Sequence, residues 1–235
     1  MERLNKDELF TLALNLDLPS LLNLCSSSKN IERKLCLKDE IWYYRLQKDF
    51  PEFNSLKVKN MNKRQIYQLL YSLTILKNKL YLKENIYEIY NLRELDLSNR
   101  HLTEIPKELG LLINLRKLDL STNKLTEIPK EIGNLYNLKI LDLHLNNLTE
   151  IPREIGQLIS LQTLYLWKNL LTEIPKEIAN LPHLKRLDIS NNKLLSLPKE
   201  IGNMPNLYSL RLGKNKNLKL PEEILSNKNI KEIKL

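Results

Sequence analysis

Glycine is scarce in this chain, five among 235 residues, and no Gly-rich loop able to cradle a phosphate can be assembled from them. The three histidines, His101, His144 and His183, stand far apart, none at metal-binding distance in sequence from another ligand. Two cysteines occur, Cys25 and Cys36; neither belongs to a metal-like cluster or has an identifiable histidine partner. No serine sits in a nucleophile elbow. An enzyme is therefore not expected, and neither is a cofactor or a metal. No apolar run reaches the roughly 18 residues that a membrane span requires. The opening stretch from Met1 to Glu8 carries acids and no apolar core segment, unlike a secretory leader. These absences point to a cytoplasmic, non-secreted protein whose two cysteines are reduced and mostly buried.

Charge is present in excess of one sign, a formal +9, which raises the question of nucleic acid. Residues 1–91 hold 15 Lys+Arg against 11 Asp+Glu, and residues 92–235 hold 22 against 17, so the surplus is +4 and +5 and spread thinly. Many lysines lie inside Glu-Ile-Pro-Lys-Glu units, flanked by acids, so no single-sign stripe is expected there. Arg211, Lys214, Lys216 and Lys219 form a locally basic stretch. This distribution argues against nucleic acid as the partner.

What the chain has in abundance is repetition. Leu92, Leu115, Leu138, Leu161, Leu184, Leu207 and Ile230 follow one another at intervals of 23 residues. Apolar residues recur three and five positions after each, as in Leu118/Leu120, Leu141/Leu143 and, at the end, Ile233/Leu235. Eight positions after five of them comes Asn123, Asn146, Asn169, Asn192 or Asn215. Alternating leucines put two side chains on one face of a short strand. The asparagine amide can both donate and accept, which suits a turn that would otherwise strand backbone groups. An Ile-Pro step enforces extended backbone, and Lys-Glu-Ile-Gly-Asn-Leu has room for one helical turn, closed by Gly133, Gly156 or Gly202 where present. Such a unit buries its leucines by stacking on its neighbours.

These residues resemble the leucine-rich-repeat family and its L-x-x-L-x-L-x-x-N-x-L unit. The resemblance implies an α/β solenoid, an arc with parallel strands on its concave face, preceded by a small all-helical domain. Residues 80–235 are assigned to it: a truncated entry repeat over 80–91 (Leu80, Leu82, Asn85), six repeats over 92–229 and a terminal strand over 230–235, whose far edge is left unpaired. Arg100 replaces asparagine in the first repeat. On the concave face Asp and Ser are common consensus letters. The exceptions are His144, Leu145, Tyr165 and Trp167 in mid-array; with Asp142, Asp188 and Arg186 around them they have the composition of a protein-binding hot spot. The alternative is that these aromatics pack across neighbouring strands. The expected ligand is a protein or peptide with an apolar anchor, and basic residues on it would complement Asp142 and Asp188.

Ahead of the repeats, apolar spacing predicts helices over about 7–16, 18–29, 39–49 and 62–79, with Asn5 or Asp7, Asp17, Asp39 and Asn62 as N-caps. Leu9, Leu12, Leu21, Leu24, Trp42, Leu46, Ile66, Leu69, Leu70 and Leu73 would form their core. Leu4, Asp7-Glu8-Leu9-Phe10, Asp17-Leu18-Pro19-Ser20-Leu21-Leu22-Asn23-Leu24-Cys25 and Ile41-Trp42 resemble an F-box over residues 1–50, with 51–79 as a linking helix. That resemblance implies a substrate receptor: Leu9, Leu18, Pro19, Leu21 and Leu22 would face a Skp-type adaptor of a cullin ubiquitin ligase, and the repeats would hold the target protein. In the other reading the helices are a structural cap on a free-standing interaction protein. The asparagine- and lysine-rich composition resembles that of large DNA viruses of eukaryotes, which would place the protein in host cytoplasm.

Overall fold

The computed structural model describes residues 5–56, 58 and 60–234. Leu4 of the F-box resemblance and Leu235 of the terminal strand lie outside the described residues. Two compact units divide the chain, Met1–Tyr87 and Glu88–Leu235.

The first unit is helical, and its caps explain where each helix begins. Asn5 accepts from the backbone N–H groups of Asp7 and Glu8, and Glu8 reaches back to the Asn5 N–H, starting α1 (Lys6–Asn15). Asp17 accepts from the Ser20 N–H at 2.8 Å to start α2 (Leu18–Ser26), with Pro19 in its first turn, where no N–H is needed. A short α3 (Lys29–Ile31) runs into a π-helical turn, Glu32–Cys36, and α4 (Asp39–Asp49) follows. Here Lys38, not Asp39, occupies the capping position. Asn62 and Gln65 form a reciprocal capping box on α5 (Lys63–Leu80). The core holds Trp42, Leu46, Tyr67, Leu70 and Leu73, while Leu12, expected inside, is 36% exposed.

Arg45 ties α4 to its neighbours. Its guanidinium donates to the carbonyls of Ala13, Leu14 and Leu16, the orphaned end of α1. The same group donates to the Tyr67 hydroxyl, which in turn donates to Asp49 at 2.5 Å. Burial, aided by the Asp49 carboxylate, pushes the Tyr67 hydroxyl up to about 12.

Cys25 and Cys36 form a disulfide, with Cα atoms 5.8 Å apart. This overturns the expectation of reduced thiols. The π-helical turn brings Cys36 back beside the last residues of α2, a juxtaposition that a sequence separation of 11 does not reveal.

The expected entry repeat over 80–91 is also corrected. Leu80 is the last residue of α5, whose apolar stripe of Ile66, Leu69, Leu70, Leu73, Leu76 and Leu80 is buried. Those spacings are helical, so Leu80 belongs to that stripe. Tyr81 then turns the chain in the left-handed region, φ 50°. Asn85 accepts from the Tyr87 N–H as α6 (Ile86–Tyr90) begins.

In the second unit seven strands form one parallel sheet in chain order: β1 (Glu94–Asp96), β2 (Lys117–Asp119), β3 (Ile140–Asp142), β4 (Thr163–Tyr165), β5 (Arg186–Asp188), β6 (Ser209–Arg211) and β7 (Glu232–Lys234). Every pair is in the register that the 23-residue period dictates, Leu118 beside Leu141 beside Leu164. The leucines lie inside: Leu118, Leu120, Leu141, Leu143, Leu164 and Leu166 are fully buried. Opposite the strands run single 3-10 turns such as Lys130–Asn134 and Arg153–Gln157; the last repeat has a short α7 (Glu222–Ser226) instead.

An asparagine ladder joins the turns. Asn146 Nδ2 donates to the carbonyls of Leu143 in its own repeat and Leu120 in the one before, while its Oδ1 accepts from the Leu125 N–H. Asn169, Asn192 and Asn215 repeat the pattern. In the first repeat, where Arg100 stands in place of asparagine, Asn123 Oδ1 accepts from both Arg100 N–H and Leu102 N–H. Just ahead of each ladder position the chain enters the left-handed region, at Asn99, Thr122, Leu145, Lys168, Asn191 and Lys214, with φ from 53° to 64°.

The outer glycines have a role other than closing a left-handed turn, since none has positive φ. A Cβ on Gly156 would lie 2.4 Å from the Glu177 carbonyl oxygen of the next repeat, and the same clash recurs at Gly110, Gly133 and Gly202. These turns stack too closely for a methyl group. Gly156→Ala is therefore expected to cost about 1–3 kcal/mol, read as a lower urea midpoint of unfolding. Ala179 holds the corresponding place one repeat on, so Ala179→Gly should change stability by less than about 1 kcal/mol, the entropy of a new glycine. Equal losses at both sites would refute the stacking argument.

Candidate protein-binding face

Strand side chains that do not enter the core line up in columns across the sheet, one residue per repeat. Register places Asp96, Asp119, Asp142, Tyr165, Asp188, Arg211 and Lys234 in one such column. Two residues on lie Ser98, Ser121, His144, Trp167, Ser190 and Gly213. In three repeats the two columns are linked alike: Asp96, Asp119 and Asp188 accept from the backbone N–H of Ser98, Ser121 and Ser190. At Asp119 and Asp188 the serine hydroxyl donates as well, at 2.6 Å. Those bonds hold the Asp96 carboxyl below the usual carboxylate range, Ser98 being the largest cause. Most of the acids on this face thus serve the fold.

The third repeat keeps the bond and changes its donor. Asp142 Oδ1 accepts from the His144 N–H at 3.1 Å and lies 2.6 Å from His144 Nδ1. A hydroxyl has been replaced by an imidazole, fixed in orientation by the same carboxylate. In the fourth repeat the Asp–Ser pair is gone, and Trp167 lies flat on the His144 ring, centroids 4.2 Å apart and planes 10° from parallel. Lys168 Nζ lies 5.6 Å from the Trp167 ring centroid. Both rings remain partly exposed.

The candidate residues named from the sequence therefore meet on one face. Tyr165 sits in register between Asp142 and Asp188. Together with Arg186 and Asp188 it lines a depression that extends to Ser209, Arg211 and Glu232. Leu145 is 37% exposed at its left-handed turn, next to His144. Asp188 is 8% exposed, its Oδ2 3.8 Å from Arg211 Nη1.

Sequence reasoning missed the polar end of that depression. Lys234 and the Ser209 hydroxyl hold Glu232, at 2.7 and 2.5 Å, and draw its carboxyl down to about 2. Arg211 lies between Asp188 and Glu232, 3.8 and 3.9 Å from their carboxylates. Read along the chain Arg211 belongs to a basic stretch; across the sheet it sits between two acids.

In the helical unit the adaptor-facing set divides. Leu9, Leu18 and Leu21 are 3%, 5% and 0% exposed and belong to the core, because α1 and α2 turn their apolar stripes inward. Pro19 is exposed and Leu22 partly so. Among the described residues no group of three or more His, Cys, Asp or Glu could hold a metal, and no helix is long and apolar enough to cross a membrane.

A family model described as a leucine-rich repeat region matches residues 48–168 and 130–235. No curated protein matches the chain. Among solved structures, a Leptospira interrogans leucine-rich-repeat protein is 38% identical with a TM-score of 0.54, over 66% of this chain and 45% of that one. A plant peptide hormone receptor, RGFR1 in complex with RGF2, is 37% identical with a TM-score of 0.52, over 60% of this chain and 24% of that one. The chain thus spans less than half the length of either.

Proposed function

The chain belongs to the leucine-rich-repeat family, and from that premise we propose that it is a non-enzymatic protein-binding module whose concave face holds its target at the His144–Trp167 stack. The carrying observation is the stack itself: two flat rings, one pinned by Asp142, between the Asp119–Ser121 and Asp188–Ser190 pairs of the flanking repeats. An aromatic platform already fixed in place loses little rotamer entropy when a partner covers it. Support comes from the similar plant receptor, whose partner is a peptide hormone. Trp167→Ala is expected to weaken target binding about 30-fold or more, the loss typical of a central interface tryptophan. The same change removes one stacking contact worth about 0.5–1.5 kcal/mol, so the melting temperature should fall by no more than about 6 °C. A larger fall with binding retained would make the stack a packing element.

The finer assignment is a substrate receptor. Helices α1, α2 and α4, resembling an F-box, pass the captured target to a Skp-type adaptor and a cullin ligase in the cytoplasm, acting by effective concentration. The exposed Pro19 and partly exposed Leu22 at α2 are the contacts this requires. A second reading, a free-standing interaction protein, is favoured by the Cys25–Cys36 bond, because disulfides persist mainly in oxidising compartments. Titrating the purified chain with a recombinant Skp-type adaptor separates the two. The receptor reading expects saturable binding lost in Pro19→Ala/Leu22→Asp; no binding by the folded chain leaves the free-standing reading.

A further inference from the structure

One residue after each opening leucine lies another column, outside the Glu-Ile-Pro-Lys-Glu units. It reads Arg93, Arg116, Lys139, Gln162, Lys185, Tyr208 and Lys231. These residues are neighbours because the backbone ladder runs through them: Arg116 N–H donates to the Arg93 carbonyl, Lys139 to Arg116, Gln162 to Lys139, Lys185 to Gln162, Tyr208 to Lys185 and Lys231 to Tyr208. Their Cα atoms must then follow one another at about 4.8 Å, the spacing of adjacent strands. All are exposed except Gln162, which is partly so. None of the five cations forms a salt bridge among the described residues. On the next column, acids occur near the two ends, at Glu94 and Glu232, with Lys117, Ile140, Thr163, Arg186 and Ser209 between. Shallow depressions border the stripe, one between Arg93 and Arg116 and another between Lys185 and Tyr208.

We propose that this margin of the sheet, carried by Arg93, Arg116, Lys139 and Lys185, docks an extended acidic segment of a partner protein running across the strands. The proposal rests on the repeats being a protein-binding module, and it assigns the partner's chemistry at a place separate from the aromatic stack. Three unpaired cations at successive strands, Arg93, Arg116 and Lys139, and a fourth, Lys185, beyond Gln162 form a linear charge that an extended chain of carboxylates complements. Tyr208, next after Lys185, adds an exposed ring for an apolar side chain. A protein segment fits better than a nucleic acid because of what lies alongside. The column of Asp96, Asp119, Asp142 and Asp188 is three residues along each strand, about 10 Å away. That is close to the Debye length at physiological salt, so a broad polyanion would feel both rows. A single extended peptide is narrow enough to lie on the basic row alone.

The test uses the full chain and a fluorescein-labelled peptide of eight Glu-Ser repeats, with a 20-nucleotide oligo-dT as the competing class. Anisotropy titrations should show peptide binding that weakens steeply with salt. Binding should fall about tenfold or more in Arg116→Glu/Lys139→Glu and less than about twofold in Lys107→Glu/Lys130→Glu, an equal charge change on the outer turns. Trp167→Ala should leave it unchanged, so that failure of the aromatic site and failure of the basic margin are read separately. Equal losses from the two double variants, no peptide binding, or tighter binding of oligo-dT than of peptide would overturn the proposal.

Discussion

Asn146→Ala should destabilise the repeat unit by roughly 2–6 kcal/mol, a large share of a domain's stability. The magnitude follows from what the amide holds. Asn146 Nδ2 donates to the Leu120 and Leu143 carbonyls at 2.9 and 3.1 Å, and Oδ1 accepts from the Leu125 N–H at 3.0 Å, all within a buried turn. Alanine orphans the buried Leu125 N–H, at about 1–3 kcal/mol, and removes one of two donors from the Leu120 and Leu143 carbonyls, which keep Asn123 and Asn169, at about 0.5–1.5 kcal/mol each. Asn147 is exposed, and Asn147→Ala should change stability by less than about 0.5 kcal/mol. Urea unfolding followed by circular dichroism reads both. A loss under about 1 kcal/mol at Asn146 would mean that water replaces the amide and that the ladder is not what holds the turns.

The second large effect is expected in the helical unit. The Cys25–Cys36 bond closes a loop with a sequence separation of 11, and the chain-entropy relation assigns a loop of that size about 3 kcal/mol. Against a stability of about 5–15 kcal/mol for a whole domain, that is a large share for a small unit. Reductant, or the Cys25→Ser/Cys36→Ser pair, should lower the melting temperature of the isolated transition of residues 1–87 while leaving that of the repeats in place. The same experiment bears on function. A helical unit that keeps its fold and binds a Skp-type adaptor with the bond reduced is compatible with ligase work in a reducing cytoplasm. One that unfolds is not, and the free-standing reading then stands.

The repeats were legible because their contacts are local in a one-dimensional sense. A leucine 23 residues from another pairs with it, so Leu118, Leu141 and Leu164 could be aligned without any knowledge of the path between them. The asparagine turn was legible for the same reason. What escaped depended on distances between neighbouring chains. Gly156 looked like a helix terminator until the Glu177 backbone was seen to fill the space where a Cβ would go. Leu80 matched a strand position by letter, but its helical spacing to Leu76 and Leu73 put it in α5. In the helical unit the apolar letters of the F-box resemblance could not say which face they occupy, and Leu9, Leu18 and Leu21 are core. His144 and Trp167 were singled out as departures from the consensus. That they stack, with Asp142 holding the imidazole, required the register.

The ladder has a direction, and that direction matters during synthesis. The Leu125 N–H is satisfied by an asparagine 21 residues further along the chain, and the Leu148 N–H by Asn169 in the same way. A repeat leaving the ribosome therefore cannot complete its own turn; its last donor waits for the asparagine of its successor. At ordinary elongation rates the next 23 residues take about 1–5 s to appear. During translation the growing array would carry one unfinished turn at its leading end, moving outward by one repeat at a time. Nascent chains arrested with Asn146 just inside and just outside the exit tunnel should differ in protease resistance around Leu125, with protection arriving only in the longer chain.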